Sequence, residues 1–379
     1  MTDWTRRGVI GAGTAALASL AAGSPKPAVR TPARLDVNFV GDGLELSPPA
    51  YADLLARLAR SGVESDEYSR GGAVEALEKQ FAALLGKETA VFLPSGTLAN
   101  HLAVRTLAGA RRRVLVQDAS HLYNDSGDCA QQLSELTLVP LAPGKATFTW
   151  DEAAAAIDRG ASGRVPAPVG AISIESPVRR LHGEAFDFDE MRRISDEARR
   201  RGIGLHLDGA RLFVACAYSG RGPAEYAGLF DTVYVSLWKC FNSGGGAILA
   251  GPASRLADLY QVRRMFGGAL WNAWPYAAVA RHYADGYLDR LKAAVACSEE
   301  LIRSLQKGAE EAAVERVPGG TSLFRLRPRT GDLAAFRRRL AAKGIVLPEP
   351  AGDGFWLKVN ESLRGAEPAA LVAAFRSAL

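Results

Sequence analysis

The sequence predicts an α/β protein whose sheet is mostly parallel, followed by a small α+β domain. Short apolar runs rich in β-branched residues alternate with longer helical patterns, and this rhythm is typical of a parallel sheet. The rhythm changes after residue 272, where the strands become isolated. The chain has 379 residues, of which 48% are hydrophobic and 23% charged, so it is long enough for a large core and more than one domain.

Seven apolar runs predict the strands of the large sheet. In chain order they are 90–93, 114–116, 136–141, 170–174, 204–207, 232–237 and 247–249. The helical patterns between them include 74–85, 98–108, 151–159 and 189–202. Ligands of parallel α/β sheets bind at the carboxyl ends of the strands, so residues that directly follow a run are the first candidates for a site.

The last third of the chain predicts a different organisation. We expect one long helix from Trp274 to about Lys307, and a final helix over 368–379 with Pro368 at its tolerated first position. Strands are predicted at 322–326 and 355–359, with a helix at 333–343 between them. We therefore place a large domain at 37–272 and a small α+β domain at 273–379.

The first 23 residues predict a twin-arginine signal peptide. Arg6 and Arg7 precede an apolar, small-residue stretch, and a proline-rich linker over 24–36 follows. Gly11-x-Gly13 fits a nucleotide fingerprint, but no strand precedes it. We expect a periplasmic or secreted protein, or a cytoplasmic one if the signal is unused.

Composition argues against several classes of partner. The formal charge is +5, and its arginine clusters lie in alanine- and leucine-rich stretches typical of solvated helix faces, so we expect no nucleic acid partner. No apolar run reaches the roughly 18 residues of a membrane helix, so we expect no membrane contact beyond export. The four cysteines form no CxxC pair, so we expect no metal.

Two groups of residues that follow predicted strands suit charged ligands. The first suits an anion and the second a cation. Ser95, Gly96 and Thr97 open a helix, where backbone N–H groups can hold a phosphate, although a plain N-cap turn has the same composition. Asp208 ends an apolar strand, and a buried acid needs a partner such as a protonated ring nitrogen. The alternative is a structural pair of Asp208 with Arg211.

Two further residues complete a constellation at the strand ends. Lys239 follows a buried strand, and desolvation there would favour a nucleophilic amine, although a solvated surface lysine is the commoner case. His121 follows another strand and is either structural or placed over a flat ring. A phosphate cradle, a ring-covering histidine, an acid and a reactive lysine are together what pyridoxal phosphate needs.

The sequence resembles the threonine aldolase and aromatic amino acid β-eliminating lyase family of fold-type I pyridoxal phosphate enzymes. The resemblance runs from about Val37 to at least Gly268. The segments that carry it are Asp66-Glu67-Tyr68, Leu77-Glu78, Leu85-Gly86-Lys87-Glu88, Phe92 to Asn100, Leu205 to Phe213 and Phe230 to Lys239. It implies a fold-type I large domain, pyridoxal 5'-phosphate as cofactor, and an amino acid as the small-molecule substrate.

The resemblance also implies a role for each matching residue. Lys239 forms the Schiff base, Asp208 pairs with the pyridinium nitrogen, and His121 stacks on the ring. Cofactor binding falls to Ser95, Gly96, Thr97, His121, Asp208, Arg211, Ser236 and Lys239. The resemblance further implies a homodimer or homotetramer, in which Tyr68 reaches the site of a neighbouring subunit.

The chain departs from the family pattern where the substrate binds. Val178 stands where aldolases of the family carry a histidine near the β-hydroxyl, and His182, four residues on, is either a replacement or a loop residue. The late strand that should supply a carboxylate-binding arginine carries Lys358 instead. Arg179 and Arg180 are the alternative carboxylate ligands.

The aromatic residues predict a pocket for a bulky substrate. Trp238, Trp271, Trp274 and Trp356 lie near the segments expected to form the pocket, although packing between domains or subunits would use them equally well. We therefore expect a lyase that cleaves the Cα–Cβ bond of a β-hydroxy-α-amino acid with a bulky or aromatic side chain. The alternatives are β-elimination on another amino acid, or a cofactor- or amino-acid-binding protein with degenerate catalysis.

Overall fold

The computed structural model describes residues 35–308, 312–329 and 331–379. The strands are β1 Val37–Asn38, β2 Thr89–Leu93, β3 Arg113–Gln117, β4 Thr137–Leu141, β5 Val169–Glu175, β6 Gly204–Asp208, β7 Thr232–Ser236, β8 Ala247–Gly251, β9 Ala312–Arg316, β10 Leu323–Pro328, β11 Ile345–Val346 and β12 Phe355–Lys358. The predicted signal peptide and all but the last two residues of the linker lie outside the described residues.

Fifteen α-helices are found within the described ranges. They are α1 Pro48–Arg60, α2 Gly72–Leu85, α3 Gly96–Ala108, α4 His121–Asn124, α5 Cys129–Ser134, α6 Trp150–Ser162, α7 Phe188–Arg200, α8 Leu212–Ser219, α9 Pro223–Ala227, α10 Ala253–Leu256, α11 Leu259–Met265, α12 Trp274–Ala284, α13 Tyr287–Lys307, α14 Leu333–Ala342 and α15 Pro368–Ala378. Of these, none combines the length and apolar character needed to cross a bilayer.

The seven predicted strands form one sheet, which confirms the predicted fold class. Their order is β2-β8-β7-β6-β5-β3-β4, and only β8 runs antiparallel to its neighbours. Every residue of β5, β6, β7 and β8 is buried, as expected of strands covered by helices on both faces. Because β2, β3, β5, β6 and β7 share one direction, their carboxyl ends meet at one edge of the sheet.

The C-terminal part contains a three-stranded antiparallel sheet, β12-β10-β9. The sequence predicted β10 and β12 but not β9 or β11. Strand β11 pairs in parallel with β1, so residues from both ends of the described chain meet in a second core. Phe39, which we assigned to the large domain, is fully buried there, edge-to-face with Phe324 and Phe375. The domain boundaries at 37 and 273 stay predictions.

The prediction of one long helix from Trp274 is wrong in one respect, because the structure has two helices there. Gly286 has φ +62°, a left-handed conformation that glycine adopts without strain, and it separates α12 from α13. Arg290 donates to the carbonyl oxygens of Tyr283 and Asp285, which satisfies acceptors at the end of α12. Helix α13 contacts both cores: Leu291 packs with the large-sheet core and Ala294 with the C-terminal core.

We expect Phe39→Ala to lower the free energy of unfolding by about 3–5 kcal/mol, because a fully buried phenyl ring would be replaced by a cavity. Val40→Ala is the matched control, since Val40 is 38% exposed and its truncation should change stability by less than about 0.5 kcal/mol. Denaturant unfolding of the two variants measures the difference. Equal losses would show that the Phe39 ring contributes little to the C-terminal core.

Candidate active site

The ends of five strands converge on one cavity. It has a volume of about 140 Å³ and lies at the edge where β2, β3, β5, β6 and β7 end. Seven of the eight residues predicted to bind the cofactor line it: Ser95, Gly96, Thr97, His121, Asp208, Arg211 and Lys239. The structure therefore brings together the proposed phosphate cradle, ring-stacking histidine, acid and lysine, although the roles of the individual residues stay predictions. Ser236 is fully buried within β7 and is not among the lining residues.

The carboxylate of Asp208 is held by a buried amide. Asn100 Nδ2 donates to Asp208 Oδ2 at 2.5 Å, and the backbone N–H of Ala210 donates to Oδ1 at 3.1 Å. Asp208 is 3% exposed and Asn100 is 1% exposed, so both hydrogen bonds lie away from solvent. Hydrogen bonds to a charged acceptor are among the stronger ones in proteins, and these two fix the direction in which the carboxylate points.

The amide of Asn100 is in turn oriented by a histidine that the sequence analysis did not assign. His206 Nε2 lies 2.9 Å from Asn100 Oδ1, and His206 Nδ1 lies 2.9 Å from Thr232 Oγ1. Burial lowers the pKa of His206 to about 4, so its ring is neutral at pH 7. A carboxylate only accepts hydrogen bonds, so each donor in this series of hydrogen bonds points from Thr232 toward Asp208. We call Thr232, His206 and Asn100 the relay.

Glu175 lies beside Asp208 and was not assigned a role from the sequence. The two residues are paired across β5 and β6, and Glu175 is 4% exposed. Burial and the charge of Asp208 raise the pKa of Glu175 to about 7. Its carboxyl group accepts from the backbone N–H groups of His121 at 2.6 Å and Arg179 at 2.9 Å, so it fixes the start of α4.

His121 lines the cavity and carries an unpaired ring nitrogen. Its Nδ1 is buried and has no hydrogen-bond partner among the described residues. Burial lowers the pKa of His121, while Asp208 acts in the opposite direction. A neutral imidazole with an open nitrogen can accept a proton or lie against a planar ring.

Lys239 is the buried amine of the site. It is 8% exposed, and its Nζ lies 5.0 Å from the ring centroid of Trp238. Burial and the Arg211 cation lower the pKa of Lys239, while Asp208 raises it. A lowered pKa increases the fraction of neutral amine, which is the nucleophilic form.

Arg211 and Lys358 share one acidic partner, Asp42. Arg211 donates through Nε at 3.0 Å and Nη2 at 2.8 Å, and Lys358 Nζ lies 3.1 Å from Asp42 Oδ1. Burial raises the pKa of Asp42, but the two cations outweigh this effect and hold it well below its usual range. These three residues and Lys239 line a second cavity of about 490 Å³ beside the first.

The predicted phosphate cradle begins α3. Ser95 Oγ accepts from the backbone N–H of Leu98, so Ser95 caps the helix as the alternative interpretation required. The N–H groups of the first helical turn, which include those of Gly96 and Thr97, have no partner within the helix. A Cβ at residue 96 would collide with the hydroxyl of Tyr234, so the glycine allows the Tyr234 ring to reach the cradle.

Of the residues predicted to bind the substrate carboxylate, Arg179 lines the first cavity and Lys358 lines the second. Arg180 lines neither. Arg179 and Arg180 both form ion pairs with Asp125, at 2.6 and 2.8 Å, and both are nearly half exposed. His182 does not line either cavity. It is stacked on Trp356 with ring centroids 4.2 Å apart, which is the loop role considered for it.

Tyr68 does not line the cavities of its own chain. It is 41% exposed and packs edge-to-face against Trp271, which is 58% exposed. Of the four tryptophans considered for the pocket, only Trp238 lines both cavities. Trp271 and Trp356 pack against Tyr68 and His182 instead, and Trp274 packs against the large-sheet core.

Comparison with known proteins gives one family. A model of the beta-eliminating lyase family matches residues 50–318. The aldolase vrtJ of Penicillium aethiopicum is 30% identical over 230 residues, which are 60% of this chain and 58% of the relative. The low-specificity L-threonine aldolase of Candida albicans is 29% identical over 219 residues, 57% of this chain and 58% of the relative. The chain thus spans less than two thirds of these two curated relatives.

Solved structures agree with the fold. A Listeria monocytogenes protein assigned as an L-allo-threonine aldolase is 27% identical with a TM-score of 0.72, and the match covers 91% of this chain and 97% of that one. The Leishmania major threonine aldolase is 17% identical with a TM-score of 0.68, covering 90% and 98%, and supports the fold alone. The fold is therefore that of the fold-type I pyridoxal phosphate enzymes.

The residues of the cavity fit pyridoxal phosphate, the cofactor of this family. The first turn of α3 offers N–H groups to a phosphate, and Asp208 offers a fixed carboxylate to a ring nitrogen. Lys239 offers a buried amine to an aldehyde, and His121 has an unpaired buried nitrogen beside them. The cavity thus offers groups that suit the phosphate, the ring nitrogen and the aldehyde of the cofactor.

We expect Asn100→Leu to weaken cofactor binding by about 5- to 150-fold. The substitution removes the donor to Asp208 and leaves the Nε2–H of His206 without a partner, a loss of about 1–3 kcal/mol in a buried site. Thr232→Val removes only the far end of the relay and serves as the milder control. Fluorescence titration of the cofactor-free variants measures the affinities. Wild-type affinity in Asn100→Leu would show that the relay does not position Asp208.

We expect Gly96→Ala to fold but to bind the cofactor poorly, because its Cβ would displace Tyr234 from the cradle. Pairing it with Tyr234→Leu, which removes both the hydroxyl and the ring carbons that the Cβ would meet, should restore part of the affinity. The same titration measures both. An unaffected Gly96→Ala variant would place the phosphate away from the first turn of α3.

Proposed function

The chain belongs to the beta-eliminating lyase family, and from that premise we propose that it is a pyridoxal phosphate-dependent carbon–carbon lyase. The proposed reaction cleaves the Cα–Cβ bond of a β-hydroxy-α-amino acid to glycine and an aldehyde. The single observation that carries the proposal is the buried Lys239 amine, which lines one cavity with Asp208 and His121. Burying an amine beside a fixed carboxylate is costly, and such perturbed groups are typical of catalytic sites.

Bound pyridoxal phosphate supplies a carbonyl that reacts with amines and a ring that withdraws electrons from bonds at the substrate Cα. The protein supplies the remaining functions. Asp208, oriented by Asn100, would hold the ring nitrogen in its protonated form. Lys239 has a lowered pKa, so its Nζ can give and take a proton within the cavity. Lys358 provides a positive charge for the substrate carboxylate.

Cleavage also requires a base for the β-hydroxyl proton. Val178 is fully buried and has no atom that can accept a proton. His121 lies in the cavity, and its lowered pKa and unpaired Nδ1 make it the best available acceptor. We therefore assign the β-hydroxyl proton to His121.

We propose that the β-substituent is bulky or aromatic. The support comes from Trp238, which is 51% exposed and lines both cavities beside Lys239. An indole ring in that position offers a flat apolar surface to a phenyl-sized group. The other three tryptophans do not line these cavities, so the proposal depends on Trp238.

A second candidate is a different reaction at Cα, and Val178 favours it. The histidine that Val178 replaces is needed only if a β-hydroxyl must lose its proton. Racemisation or β-elimination therefore tolerates the valine. The alanine racemase TOXG of Cochliobolus carbonum, 28% identical over 231 residues, is a relative named for such a reaction. A third candidate, a binding protein with degenerate catalysis, is disfavoured by the presence of Lys239, Asp208 and His121 together.

We further propose that the protein is a homodimer or homotetramer and is exported in the folded state. Tyr68 and Trp271 form an exposed aromatic pair, with the Arg264 guanidinium 5.0 Å from the Tyr68 ring centroid, as suits a subunit interface. In an oligomer this pair would enter the site of the neighbouring subunit. Export rests on the arginine pair and apolar stretch of residues 1–23.

We expect glycine to produce a new long-wavelength absorbance band in the purified holoprotein, because it is the proposed product and carries the minimal carboxylate. Lys239→Ala should lose the covalent, borohydride-reducible attachment of the cofactor. Lys87→Ala is the matched control, a partly buried lysine that donates to the carbonyl of Phe230 far from the cavity. Covalent attachment that survives in Lys239→Ala would contradict the assignment of the site.

The two candidate reactions differ in their products. We expect 3-phenylserine to release an aldehyde that an alcohol dehydrogenase assay detects, and His121→Gln to lower that rate by a factor of about 10²–10⁴, the range for loss of a general base. Loss of optical activity from alanine without aldehyde release from any β-hydroxy amino acid would instead establish the second candidate.

A further inference from the structure

Side chains cover the outer edge of β2, the strand that lies at one side of the large sheet. The inner edge of β2 pairs with β8, whereas both backbone groups of Phe92 bond to side chains. Its N–H donates to Glu78 Oε1 at 2.7 Å, and its carbonyl oxygen accepts from Arg263 Nη1 at 2.6 Å. The free edge of a sheet exposes backbone groups that a further strand could pair with. Glu78 and Arg263 satisfy these groups at Phe92, and we call the two side chains the edge clamp.

Both members of the edge clamp are buried. Arg263 is 1% exposed and Glu78 is 6% exposed. The second oxygen of Glu78 accepts from the hydroxyl of Tyr260 at 2.8 Å. Burial raises the pKa of Glu78 to about 7, while its hydrogen bonds and the Arg263 cation act in the opposite direction. Because burying ionisable groups costs free energy, two of them around one strand residue indicate that the position of this residue matters to the protein.

The edge clamp acts close to the predicted phosphate cradle, because Phe92 lies three residues before Ser95. The Phe92 ring is fully buried against Gly246, since a Cβ at that glycine would lie 2.7 Å from the ring. The N–H of Gly246 donates to the carbonyl oxygen of Pro94 at 3.1 Å. The end of β2 is thus held by the loop after Lys239 on one side and by the edge clamp on the other.

We propose that Glu78 and Arg263 are positioning residues for the cofactor phosphate. By fixing Phe92 in the edge strand, they set the place at which the first turn of α3 presents its N–H groups. Neither residue lines the cofactor cavity, so both act through the backbone that joins β2 to α3. This inference rests on the proposed function through its cofactor, because it assumes that the phosphate binds at residues 95–97.

The test compares pyridoxal phosphate with pyridoxal, which differ only in the phosphate group. Fluorescence titration of the full chain, freed of cofactor, gives the two dissociation constants at pH 8, above the pKa of Glu78. Lys239 and Asp208 can contact both compounds, so the ratio of the constants reports the contacts of the phosphate. We expect the wild-type chain to prefer pyridoxal phosphate at least about 100-fold, the effect of two charge-assisted hydrogen bonds.

Glu78→Met removes the acceptor of the Phe92 N–H and nearly keeps the volume of the side chain. We expect it to lower the preference by about tenfold, the effect of one such hydrogen bond, with the affinity for pyridoxal little changed. Glu78→Gln keeps an acceptor at the same place and should retain the wild-type preference. If Glu78→Met fails to fold, the double variant with Arg263→Met removes both ionisable groups and decides the question in the same way.

Glu88→Met is the matched control. Glu88 is an exposed glutamate beside the other end of β2, and its carboxylate accepts from the backbone N–H of Ala253 at 2.8 Å. The substitution therefore removes the same type of hydrogen bond at a distance from the cradle. It should keep the wild-type preference for pyridoxal phosphate.

The outcomes separate the inference from the proposed function. A preference that Glu78→Met leaves unchanged, an equal loss of affinity for both compounds, or the same loss of preference in Glu88→Met overturns the inference alone. A wild-type preference below about tenfold would place the phosphate away from α3, and this also overturns the inference. If neither compound binds to the wild-type chain, the proposed function fails, and the inference fails with it.

Discussion

The shared direction of five strands determines where the chemistry of this protein lies. Because β2, β3, β5, β6 and β7 all end at one edge, the residues that follow them meet although more than 140 positions separate the first from the last. Strand β8 alone is antiparallel, and it places β2 next to the others without reversing that edge. The phosphate cradle, the histidine, the acid and the lysine are neighbours for this reason only.

Bringing these residues together creates an electrostatic problem that the surrounding structure must solve. Asp208 and Glu175 are adjacent and nearly fully buried, so one carboxyl group retains its proton more readily than it would in water. Asn100 and the N–H of Ala210 stabilise the charge on Asp208, while backbone N–H groups satisfy Glu175. The neutral His206 adds a polar partner without adding a third charge. The arrangement keeps one defined carboxylate beside the amine of Lys239.

Most of the fold was predictable because it depends on local pattern. The seven strands of the large sheet coincide with apolar runs, and the cavity is lined by residues that follow those runs. The missed features depend on contacts between distant segments. Strands β1 and β11 contain two residues each and exist only because they pair with each other. The break at Gly286 needed the left-handed conformation of one glycine, which a helical pattern does not reveal.

The site, like the fold, was predictable where it depends on local sequence pattern. The motif residues of the cofactor cavity follow strands in sequence, whereas Asn100, Glu175 and Tyr234 gain their roles from neighbours on other strands. Asn100 lies in the quoted Phe92 to Asn100 segment, and its position one helical turn beyond the cradle was a signal that the argument from strand ends did not use. Asp42 gave no such signal, because its partners Arg211 and Lys358 lie 169 and 316 positions away. The Asp42 cluster forms where an N-terminal loop, the segment after β6 and the C-terminal strand β12 meet. A charge-changing substitution of Asp42 or Lys358 therefore alters the electrostatics of the cavity that Lys239 also lines, although both residues lie far from Lys239 in the sequence.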